Sequence, residues 1–158
     1  MEAYLVWLHR ALGAGLAILL MEVLAHAVGE PFAQVPFVTS IVLVMALPEQ
    51  PAAKPYAVVV GHVLSALAGY AALSLLGPAE TASAIAVGAA LLLMVAARAV
   101  HPPGHQRVPL SHTSAIRVLD PKPVLAGSLI LVAFAVAWRR AEILVVRRWV
   151  APNKTPAE

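Results

Sequence analysis

Four stretches of this chain stay apolar for about twenty residues, and proline, glycine or arginine closes each one. As helix, about 20 residues at 1.5 Å rise each cover the ~30 Å of hydrocarbon in a bilayer. Backbone N–H and C=O groups find no water there and must be satisfied within helices. This requirement leads to an all-α polytopic membrane protein, with four long transmembrane helices expected at about 5–28, 56–76, 81–100 and 123–146. Composition points the same way: 61% of the 158 residues are hydrophobic and 12% charged, whereas a soluble domain is about a quarter charged.

Two further pieces, 36–47 and 108–119, are too short to cross. About 12 helical residues reach about 18 Å, so they are expected as re-entrant or half-spanning helices. Each leads into a stiff connector, Pro51-Ala52-Ala53-Lys54-Pro55 after the first and Pro121-Lys122-Pro123 after the second. Thr39-Ser40 stands ahead of the first connector and Thr113-Ser114 ahead of the second. Long helix, short segment, connector and long helix thus occur twice, as in an internal duplication. Interrupted segments at corresponding positions are the sequence pointer to a transporter's binding site. Residues 1–150 are read as one transmembrane unit and 151–158 as a polar tail.

The third long run ends in Arg98-Ala99-Val100-His101-Pro102-Pro103-Gly104-His105-Gln106-Arg107. Each proline lacks an N–H, and the residue before a proline is pushed out of the α region. One reading is a basic loop lying in the headgroup layer. The other is a rigid break held by Pro102 and Pro103, facing Pro51 to Pro55 across the bundle. His101 would then point its ring into the cleft, with Arg98 one turn earlier.

The net charge of +3 comes from basic residues at segment ends, where they suit phospholipid headgroups and not nucleic acid. With no cysteine, disulfides, thiol catalysis and Cys-ligated metal are excluded. The first apolar run is read as a retained helix, not a cleaved signal. Arg10 and the basic residues after Trp138 argue for cytoplasmic termini. No paired intramembrane acids, nucleophile motif or phosphate loop is present, so an enzyme is not expected. Neither is a resident cofactor.

Gly61, Ser65 and Gly69 fall at every fourth position, a stripe that lets another backbone approach, and Ala84 and Gly88 make a smaller one. A homo-oligomer is expected from these stripes. His62 lies beside the first, roughly 9 Å into its helix. Glu22 and His26, four residues apart, share a helix face and are candidates for a proton relay. The plainer reading is a protonated or paired glutamate and a wet histidine. Haem between His62 and His26 is an alternative function, that of a non-transporting bundle. His101, His105 and His112 have no recognised metal spacing, and an interfacial loop accounts for them.

Four motifs in order resemble the HPP family of integral membrane proteins, over roughly Ala11 to Ala137. They are His101-Pro102-Pro103 itself; Pro36-Phe37-Val38-Thr39-Ser40; the connector Gln50-Pro51-Ala52-Ala53-Lys54-Pro55; and Gly61-His62-Val63-Leu64-Ser65-Ala66. Here Gly104-His105-Gln106-Arg107 and a polar stretch stand where the family continues with Ala-Gly-Ala and an apolar run. The resemblance implies a four-helix bacterial inner-membrane protein carrying a small inorganic anion, nitrite or nitrate. Such an anion needs donors without a full desolvation cost, which helix N-termini supply. Thr39, Ser40, Lys54, His62, Arg98 and His101 are the expected anion-binding residues. Pro51, Pro55, Gly61, Pro102 and Pro103 are the expected framework.

Overall fold

The computed structural model describes residues 2–29, 36–102 and 121–150. Within them the regular elements are helical: α1 (Glu2–Val28), α2 (Pro36–Ala46), a 3-10 turn (Pro51–Ala53), α3 (Pro55–Leu76), α4 (Glu80–Ala96) and α5 (Pro121–Val150). The expected second short segment, 108–119, lies outside the described residues, as does Pro103.

Side-chain contacts set the helix directions. Arg10, early in α1, donates to the carbonyl of Ala46 at the end of α2 and to the carboxylate of Glu142 late in α5. Tyr56, at the start of α3, donates to the carbonyl of Ala97 just beyond α4. Hence α1 and α3 run away from one end of the bundle, while α4 and α5 run towards it. Such opposed directions are what an inverted repeat requires of its two halves.

Among the described residues, three helices are long and apolar enough to cross a membrane: Tyr4–Ala27, Pro55–Leu76 and Lys122–Leu144. The fourth expected span is shorter than the sequence indicated. α4 has 17 residues and stops at Ala96, not near Val100. Its length is about 25 Å. The cause is a Schellman closure. Ala99 N–H bonds the carbonyl of Met94, Arg98 N–H bonds that of Val95, and Arg98 takes the left-handed conformation at φ 53°. Arg98 is therefore beyond the last turn of the helix, not within it, and the chain bends back towards α3.

α2, with 11 residues, is the half-length helix expected. Its Phe37, Ile41, Val44 and Met45 are buried with Ala17 and Met21 of α1, Val58 of α3 and Leu131 of α5. One face of the short helix is thus packed against α1, α3 and α5, while Val38, Thr39 and Val42 are exposed. α3 and α4 pack closely through small residues, Ala68 against Ala90 and Met94 among them. On α4 the buried stripe is Ala82, Ala86, Ala90 and Met94, two positions off the Ala84–Gly88 stripe, which is exposed. A helix apolar on every side does not reveal its inner face in sequence.

Candidate functional site

Ser40, His62 and His101 come from three separate elements and are each 0% exposed. Ser40 is on α2, His62 in the second turn of α3, and His101 in the connection after α4. The Ser40 hydroxyl stands 2.8 Å from His101 Nε2 and 3.2 Å from His62 Nε2. The two rings lie 5.0 Å apart, and Phe37 stacks on His62 at 4.8 Å.

Backbone carbonyls fix both tautomers. His62 Nδ1 donates to the carbonyl of Val58 at 2.8 Å, and His101 Nδ1 donates to that of Ala52 at 2.7 Å. The opposite tautomers would set ring lone pairs against carbonyl lone pairs at those distances. Each neutral ring therefore turns an accepting Nε2 towards Ser40. Burial lowers the pKa of His101 below its ordinary 6.5, and the Ala52 hydrogen bond partly offsets this.

Gly61 makes the assembly fit. A Cβ there would stand 2.7 Å from His101 Cβ and 3.2 Å from the His101 carbonyl oxygen. The small residue expected to admit a neighbouring helix thus admits the chain's own His101 segment. Pro51 opens the 3-10 turn, and Pro55 takes the first position of α3, where its missing N–H costs nothing. Between them Ala52 presents its carbonyl to His101, so His101, just ahead of Pro102, faces this connector.

The other candidates lie elsewhere. Thr39 is exposed beside Ser40, and Arg98 and Pro102 are exposed. Glu22 and His26 sit on the exposed face of α1, in line with Gly15 and Leu19. The ring facing His62 is that of His101, so the His62–His26 pairing considered for haem is not formed. Lys54 lines a separate cavity of about 330 Å³ on the far side of the connector, with Arg10, Ala53, Trp138, Arg139 and Glu142 among its walls. Arg10 pairs with Glu142 at 3.0 Å, and Arg139 pairs with Glu49. Sequence reasoning missed these pairs, because Arg10 and Glu142 are 132 residues apart. It also missed the packing of Trp138 against Gly13 and its stacking on His9 at 4.5 Å.

The profile of the HPP transmembrane region matches residues 2–149. The chain belongs to the HPP family. In this HPP protein the four motifs that carry the resemblance converge on one point. Ser40, the Ala52 carbonyl, Gly61 with His62, and His101 each come from a different motif. No match is found among curated proteins or solved structures.

Proposed function

We propose that this HPP membrane protein is a transporter or channel for a small anion, not an enzyme, and that the anion binds at the Ser40–His62–His101 cluster. One observation carries the reading: a fully buried polar cluster stands where the half-helix α2 meets the break after α4. Buried polar groups are costly in a membrane bundle and mark substrate paths, and interrupted helices are where transporters place them. The sign follows from the surroundings. The cavity across the connector carries three cations, Arg10, Lys54 and Arg139, against two carboxylates, Glu49 and Glu142. Both arginines are neutralised by those carboxylates, which leaves Lys54 as the excess charge. The cavity is then a vestibule that draws an anion towards the cluster.

Nitrite and nitrate are the substrates favoured by the family resemblance, and a bacterial cell membrane is the compartment. Uptake by proteoliposomes of the purified protein tests this with nitrite, nitrate, chloride and sulfate. Saturable uptake of the small monovalent anions, above that of empty liposomes, is expected. Uptake equal to that of empty liposomes for all four would refute the reading.

A further inference from the structure

We propose that the outer face of α1 is the surface through which two copies of this chain pair in the membrane, each copy setting Glu22 against His26 of the partner subunit. The Ser40–His62–His101 cluster is built within one chain, so this inference stands apart from the anion reading.

Ala17 and Met21 turn the inner face of α1 into the core. The outer face has an order of its own. Leu8, Leu12, Gly15, Leu19, Glu22 and His26 are all exposed. Their spacing alternates between four residues and three, a mean close to the ~3.5 residues per turn of a left-handed coiled coil. That period keeps one face of a helix against a second helix along its whole length, a register that lipid tails do not require. Near the middle of the seam, a Cβ placed on Gly15 meets nothing within 4 Å, so another backbone can come close there. Gly61 and Gly69, on the stripe expected to pair copies, are instead buried within one chain.

The polar end of the seam supplies the complement. Glu22 lies inside the span Tyr4–Ala27, about 8 Å short of its end. Side chains on an α-helix lean towards its N-terminus, so Glu22 leans away from the nearer headgroups and into the hydrocarbon. An ionisable group facing lipid there is costly and calls for a partner. Among the described residues, no hydrogen bond or ion pair engages Glu22 or His26. Copies inserted with one orientation are related by a two-fold axis along the membrane normal, which makes their α1 helices parallel. His26 of the partner subunit then stands one turn beyond Glu22, about 6 Å by rise, and its lean towards the N-terminus closes that gap. Two acids and two imidazoles form an alternating ring, each carboxylate accepting a hydrogen bond from an imidazole of the other copy. The exposed face of α4 offers no such complement, because Ala84 and Gly88 continue into Leu91 and Val95.

The chain has no cysteine, so in liposomes of the purified protein a single introduced one links only to its equivalent in a second copy. Leu19→Cys, diluted in lipid and mildly oxidised, is expected to give a disulfide-linked dimer, whereas Leu92→Cys on the outer side of α4 is not. In the Leu19→Cys background, Glu22→Leu and Gly15→Leu should each lower the linked fraction about tenfold. Glu22→His should do the same, and Glu22→His together with His26→Glu should restore the link. All these positions are exposed, and melting temperature checks that the fold is kept. Single-molecule photobleaching of the cysteine-free protein, labelled at its C-terminus, reads the parent independently, with two bleaching steps expected. One step at every dilution, with no link at Leu19, overturns the pairing. Linking through Leu92 and not Leu19 moves the interface to α4 and overturns it equally. A link at Leu19 that Glu22→Leu leaves unchanged overturns the contact between Glu22 and the partner's His26.

Discussion

Two polar regions lie on either side of the Pro51–Pro55 connector, and they solve the problem of polarity in an apolar bundle differently. The cavity side uses full charges in pairs. Arg10 meets both carboxylate oxygens of Glu142 and the Ala46 carbonyl, with the paired side chains 20% and 15% exposed. Among the described residues the cluster side is buried, with two imidazoles whose Nδ1 atoms are held by backbone carbonyls and a serine hydroxyl between their Nε2 atoms. Charges are affordable where water can reach them and costly where it cannot. The paired end therefore acts as a lock between α1, α2 and α5, whereas the cluster side is the proposed anion site.

The sharpest way to break this contrast is to disturb the fit under His101. Gly61→Ala puts a methyl against backbone-proximal atoms that cannot swing aside, and should cost about 2–3 kcal/mol. The same change at Gly88, which has open space around it, should gain about 0.5–1 kcal/mol. Denaturation of both variants in detergent checks the pair. Next comes the charged end. Glu142→Gln leaves a half-buried Arg10 without its partner and should cost about 1–3 kcal/mol. Glu49→Gln breaks the more exposed pair and should cost less than about 1 kcal/mol. Equal losses would erase the distinction between lock and rim.

The two regions also differ in acid. With its folded pKa below 6.5, His101 binds fewer protons in the folded protein than in the unfolded chain as pH falls through that value. Its contribution to stability is complete above about pH 6.5 and is lost on acidification below it. Melting temperature in the anion-free protein should drop across that window, and His101→Gln should flatten the drop. The smallest effect concerns Arg98. A non-glycine residue at φ 53° is strained, so Arg98→Gly should raise stability by about 1 kcal/mol. A gain with unchanged uptake would remove the Arg98 side chain from the anion's path.

Much of this architecture was legible from lengths and prolines. The half-length of α2, the stop at Gly77-Pro78 and the position of the connector follow from rules about single residues. The end of α4 did not, because its closure places an arginine where glycine is the usual choice. The inner face of α4 was hidden for another reason: alanines surround the helix, and only packing selects Ala82–Ala86–Ala90. Ser40, His62 and His101 were each visible as candidates. Their meeting was not, since no local rule joins positions 22 and 61 residues apart. Glu22 and His26 fall within the span Tyr4–Ala27, on its exposed face and away from the cluster.

The central claim is that the buried cluster, more than the charged vestibule, carries the anion through. The direct test is nitrite uptake by proteoliposomes holding Ser40→Ala or Lys54→Gln beside the parent, after confirming that all three fold. Ser40→Ala removes a fully buried hydrogen bond at the site and should cut uptake about tenfold or more. Lys54→Gln removes an exposed charge from the approach and should reduce it only about two- to threefold, more at low salt than at high. Parental uptake by Ser40→Ala, with a large loss in Lys54→Gln, would contradict the account and move the site to the cavity.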